Sequence, residues 1–185
     1  VNPSGEDWMR FNDYGIGLLR QGDTRGASWA FQKVVEADSA RIDGYRNLAR
    51  TAVQDGNLEI AYRSLQRCEE LDPGNAQTAW VWGVALQREG RYDAATTAYE
   101  RVLEGFPEDR AAWRNLSRVR FLNGRFVEAL DAADHVLVVD PEDRATHYNR
   151  MLALRALGRG KDAAAAEEAY QKYQIDESAQ EVTRK

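Results

Sequence analysis

Cysteine and histidine are nearly missing from this sequence. A single cysteine, Cys68, excludes an internal disulfide and leaves the redox compartment open. With only His135 and His147 beside it, the chain lacks the ligands of a Cys/His metal site. No apolar run approaches the roughly 18 residues of a membrane-spanning helix. The chain opens VNPSGEDWMR, without the basic start and apolar stretch of a signal peptide. It begins with Val rather than Met, so it is expected to be a processed chain or part of a longer protein. It is expected to be soluble, either cytoplasmic or the periplasmic part of a larger protein. Basic charge is short as well: 25 Lys and Arg face 30 Asp and Glu, a net charge of −5. That balance speaks against nucleic acid as the partner.

Catalytic patterns are equally sparse. The glycines are isolated, so no phosphate loop is present. The carboxylates of Glu69-Glu70, Glu167-Glu168 and Asp131/Asp134 follow the spacing of a solvated helix face. Neither histidine has a Ser or Cys partner in a recognisable motif. Cys68 shares an apolar stripe with Ala61 and Leu65 and reads as a small core residue. No enzyme activity, cofactor or metal is expected.

What the sequence does have is a period. Gly22, Gly56, Gly90, Gly124 and Gly158 lie 34 residues apart. Five residues after each comes an alanine: Ala27, Ala61, Ala95, Ala129 and Ala163. Pro73, Pro107 and Pro141 keep the same interval. A fixed period of this size marks a solenoid built by stacking one small unit. Within a unit, Met9, Tyr14, Leu18 and Leu19 have helical spacing up to Gly22, and Ala27, Phe31, Val34 and Val35 form a second helical run. Glycine supplies the left-handed residue that stops the first helix. Alanine lets two antiparallel helices approach closely, and proline closes the unit. The units are expected at 8–41, 42–75, 76–109, 110–143 and 144–177. Residues 1–7 precede them. Residues 178–185 are expected to form a short polar capping helix, because Ser178 and Glu181 make a capping box.

The repeated residues resemble the tetratricopeptide repeat family over residues 8–177. Leu48, Trp82-Gly83, Trp113 and Leu116 match the first-helix pattern. The alanines, Phe31, Tyr99 and the closing Asp-Pro pairs match the second. Ser39 and Ile175 replace the closing proline, Ser117 and Met151 replace a small residue, and Arg120 stands at a usually apolar position. The resemblance implies an all-α fold, a right-handed α-α superhelix whose first helices line a concave groove for a partner's peptide or helix. A second likeness covers residues 147–185, which are similar to repeat domains attached to bacterial multihaem cytochromes. No haem motif is present.

In that frame two first helices carry near-copies, YRNLAR and WRNLSR. Arg46 and Arg50 are four apart and share a face, as do Arg114 and Arg118. Asn47 and Asn115 lie beside them. Trp80, Val84 and Arg88 come from the unit between, and Tyr148 and Asn149 from the last unit. Arg suits bidentate contact with carboxylates, Asn suits a peptide backbone, and Trp and Tyr suit anchoring. The groove is thus expected to bind a protein or peptide segment with acidic groups and an apolar anchor. It is similar to the carboxylate clamp of chaperone-binding members, but Val81 and Ala111 break that pattern. Three other roles stay open: arginines that only brace neighbouring helices, weak self-association into a scaffold, or a docking arm of a larger extracytoplasmic protein.

Overall fold

The computed structural model describes residues 7–182, with side chains up to residue 173. The chain divides into two compact units, one ending at Gly90 and one starting at Arg91. The first holds α1 (Trp8–Arg20), α2 (Thr24–Ala37), α3 (Ile42–Gln54), α4 (Leu58–Leu71) and α5 (Ala76–Glu89). The second holds α6 (Tyr92–Gly105), α7 (Arg110–Leu122), α8 (Phe126–Val139), α9 (Arg144–Ala156) and α10 (Gly160–Val182). No strand occurs among the described residues. None of these helices is long and apolar enough to cross a membrane. The fold is all-α, a succession of helix-turn-helix repeats.

The sequence places both ends of the helices. Gly22, Gly56, Gly90, Gly124 and Gly158 all have positive φ, between 72° and 83°. At Gly124 the amide donates to the Phe121 carbonyl at 3.0 Å and the next amide, of Arg125, to Arg120 at 2.9 Å. These bonds close the last turn of α7 in a Schellman motif. Helix starts use short polar side chains. Asp23, Asn57, Asn75, Asp109 and Asp143 each accept a bond from the amide three residues on, at 2.7–3.2 Å. A cap of this kind contributes about 1 kcal/mol. Ahead of α3, where Ser39 stands in place of the closing proline, the capping position is Arg41 and no side-chain cap forms.

The repeated alanines mark where paired helices touch. Ala27, Ala61, Ala95 and Ala129 are fully buried and Ala163 nearly so. In the first unit Ala27, Phe31, Val35 and Leu48 form one cluster, and Ala49, Val53, Ala61, Leu65, Val81 and Ala85 belong to another. A Cβ added at Gly15 would lie 2.6 Å from the Phe31 ring, so the α1–α2 contact requires glycine there. In the second unit Ala129, Leu130, Met151, Leu154 and Ala163 form the core of the last two pairs. Ser117 fits at its small-residue position by donating its hydroxyl to the Ala129 carbonyl at 2.8 Å. Cys68 is buried, its thiol directed at the Ile42 carbonyl, and desolvation pushes its pKa up to about 11. A thiol with its pKa raised in this way stays protonated at neutral pH.

One expectation is revised and one departure from the family pattern is accounted for. The separate capping helix at 178–185 is absent: α10 runs unbroken to Val182, and residues 183–185 lie outside the described part. The reason is local. No glycine or proline falls between Tyr173 and Val182, so Ser178 has no helix end to cap. Arg120 is accommodated at its usually apolar position because its head is tied down. It donates to Glu100 at 3.0 Å and to the Glu128 carbonyl at 3.3 Å. Trp113 and His147, one period apart, each donate a ring N–H to the carbonyl of the proline six residues earlier, Pro107 and Pro141, at 2.7 and 2.8 Å. Each also stacks on a ring of the following helix, His135 or Tyr173.

The turn geometry gives a direct test at Gly90, which holds φ +81° as the left-handed cap of α5. Gly90→Val should lower unfolding stability by more than about 1 kcal/mol, because a β-branched residue resists that backbone. An unchanged denaturant midpoint would contradict this placement of the turn.

Candidate functional site

In the second unit, α7, α9 and α10 enclose an open concavity of about 410 Å³. Its walls carry Arg114, Asn115 and Arg118 from α7, Arg144, Ala145, Tyr148 and Asn149 from α9, and Tyr170 from α10. Five of these are residues whose spacing predicted a groove. Helical periodicity brings them together. Arg114 and Arg118 are one turn apart on α7, and Tyr148 stands one period after Arg114.

The cations of this concavity are not equivalent. Arg114 is paired with Asp143 at 2.7 Å, and the aspartate side chain is only 10% exposed. The same aspartate accepts from the Thr146 amide at the start of α9, so Arg114 locks α7 to a helix cap. Arg144 donates to the Tyr170 hydroxyl at 3.1 Å and lies 4.8 Å from the centre of that ring. Arg118 is exposed and forms no ion pair or hydrogen bond among the described residues. Tyr148 is 41% exposed, with its ring 5.4 Å from that of Tyr170. The asparagines serve the walls. Asn115 donates to the Ala111 carbonyl at 2.8 Å, and buried Asn149 points its amide at the Arg114 carbonyl.

The first unit carries the corresponding side chains with different neighbours. Arg46 is largely buried and paired with Asp43 within α3. Arg50, one turn on, is exposed and has no ion pair or hydrogen bond among the described residues. Asn47 is 7% exposed and donates to Asn12 of α1 at 2.9 Å. Trp80 and Val84 of α5 pack against the cluster around Leu65 and Val81. Arg88 donates to the Val53 carbonyl at 2.7 Å, holding the C-terminal end of α3. Bonds from Asn47 to Asn12, from Arg88 to Val53 and from Asn149 to Arg114 each link residues 35 apart. They mark the register in which one first helix lies against the previous one.

Arg144 and Tyr170 were not legible as site residues. Tyr170 sits on a second helix, whereas the groove was read from first helices alone. Arg144 had a usable signal, its place one turn before Tyr148. Among the described residues, no cluster of three or more His, Cys, Asp or Glu is placed to hold a metal ion.

Comparison with known proteins places this geometry. The tetratricopeptide repeat family model matches residues 81–138. The FK506-binding protein-like protein of Mus musculus is 28% identical over 123 residues, 62% of this chain and 35% of that protein. The type IV pilus assembly protein PilF of Pseudomonas aeruginosa is 27% identical over 110 residues, 57% of this chain and 42% of PilF. The chain thus matches 35% and 42% of the length of these two relatives. Among solved structures, MamA superimposes with a TM-score of 0.78 at 22% identity, covering 89% of this chain and 96% of MamA. Pseudomonas aeruginosa PilF gives 0.81 at 18% identity, covering 91% of this chain and 77% of PilF. The separate likeness of residues 147–185 to multihaem cytochrome repeat domains gains no support from these relatives.

The division among the arginines makes a stability prediction. Arg114→Ala should cost about 1 kcal/mol, since it strands a nearly buried carboxylate. Arg118→Ala and Arg50→Ala should each stay within about 0.5 kcal/mol of the parent. Equal losses for all three in denaturant unfolding would mean that the exposed arginines also brace the fold.

Proposed function

From the premise that this chain is a tetratricopeptide repeat protein, we propose that its first helices hold a partner-protein segment bearing acidic groups and at least one apolar anchor. Tetratricopeptide repeats generally mediate protein–protein interaction, and the fold is typically a non-catalytic module. The acidic part of the reading is carried by one observation. Within an acidic chain, Arg118 stands exposed and without a carboxylate partner among the described residues, on the wall of a concavity that Tyr148 and Tyr170 also line. A guanidinium gives a carboxylate two parallel donors. An aromatic ring beside it offers an anchor at low entropic cost. Asn47, Asn149 and Arg114 spend their polar groups within the fold, so in this reading they are the floor that holds Arg50, Arg118 and Tyr148 in place.

The test is capture from source cells by the parent chain and by an Arg50→Ala/Arg118→Ala variant, with mass-spectrometric identification. The expected result is a partner held by the parent and lost by the variant, with both proteins melting alike. Equal recovery on both would remove the acidic-segment reading. Recovery of the chain itself as the main product would move the reading to self-assembly.

A further inference from the structure

The two near-copies YRNLAR and WRNLSR lie 68 residues apart, two periods, and each belongs to a different compact unit. Their side chains divide in the same way. In α3 the inner arginine, Arg46, is neutralised by Asp43. In α7 the inner arginine, Arg114, is neutralised by Asp143. The aspartates come from different places, one from the same helix and one from the N-cap of α9, so the shared outcome does not follow from copied sequence alone. In both helices the outer arginine, Arg50 or Arg118, is exposed and forms no ion pair or hydrogen bond among the described residues.

The next first helix of each unit then places an aromatic residue one period after the neutralised arginine: Trp80 on α5 and Tyr148 on α9. Each of these helices packs directly against the one bearing the arginines, α5 on α3 and α9 on α7. One turn beyond the aromatic residue comes an aliphatic one, Val84 or Leu152. Each of these two helix pairs, α3 with α5 and α7 with α9, therefore carries the same set: an outer arginine without an anion among the described residues, an aromatic ring and an aliphatic side chain.

We infer that the chain holds two equivalent subsites, one per unit, each taking a short segment with one carboxylate beside one aromatic or aliphatic side chain. This deepens the reading above and rests on it. Of the two arginines in each near-copy only the outer one lacks an anion among the described residues, which sets one carboxylate per subsite. The partner is then either one protein that presents this short motif twice or two copies of a protein that presents it once. If one chain presents both, the second contact forms at the effective concentration set by the first, and the whole binds far more tightly than either half.

The test uses the full chain, labelled with ¹⁵N, and a panel of acetylated, amidated peptides. Each peptide carries one Glu and one Phe, separated by zero to three alanines. Arginine Nε–H and tryptophan indole signals are followed in titrations. At least one spacing is expected to give saturable shifts at both Arg50 and Arg118, with midpoints of the same order. Arg50→Ala should abolish the shifts of the first unit and leave those of the second, and Arg118→Ala the reverse. Replacing Glu by Gln should weaken both about fivefold or more. Saturable shifts confined to one unit would overturn the two-subsite inference while leaving the binding reading intact. Shifts at neither arginine with any peptide, or equal affinity for the Gln peptides, would overturn both.

Discussion

Both units depend on the close approach of paired antiparallel helices at an alanine. Ala27, Ala61, Ala95, Ala129 and Ala163 are buried at the contact, and the facing helix answers with a residue that leaves room. Gly15 leaves room for the Phe31 ring, and Ser117 reaches the Ala129 carbonyl. Close approach lets larger residues on either side, Phe31, Leu65, Leu116 and Leu154 among them, fill the remaining core. It also forces a short turn. That turn needs a left-handed residue, which is why the glycines share the alanines' period. The faces left over, pointing away from the helix partner, are free to carry polar groups such as Arg50 and Arg118.

The repeat was legible because a solenoid writes its contacts into the sequence at one interval. Five glycines, five alanines and three prolines are enough to give the helix-turn-helix pattern and the all-α class. What escaped was which partner each polar side chain finds once the helices are formed and packed. Asp109 and Asp143, the last residues of their expected units, cap α7 and α9, and Asp143 also neutralises Arg114. Arg88 looked like a groove residue and holds the end of α3. Arg120 looked like a defect and is tied to Glu100 and Glu128. A local motif misled once: Ser178 and Glu181 have capping-box spacing, but α10 continues through them.

Charge divides the predicted arginines into those already paired and those left exposed. An arginine held by a nearly buried aspartate has little to gain from a second carboxylate, and breaking the pair would strand the first. An exposed arginine next to aromatic surface loses less water and gains a charge-assisted bond when a carboxylate arrives. In the proposed reading, Arg50 and Arg118, at equivalent positions of two units, offer local charge opposite in sign to the net charge of the chain. Such contrast favours selective encounter with acidic segments more than raw affinity.

The most direct test of this account is an unbiased selection of random peptides displayed against the parent chain and the Arg50→Ala/Arg118→Ala variant. The account predicts that the parent enriches sequences with Asp or Glu near an aromatic or aliphatic residue, and that the variant loses this enrichment while remaining folded. Enrichment of basic or purely apolar peptides, or the same acidic peptides on both proteins, would contradict it.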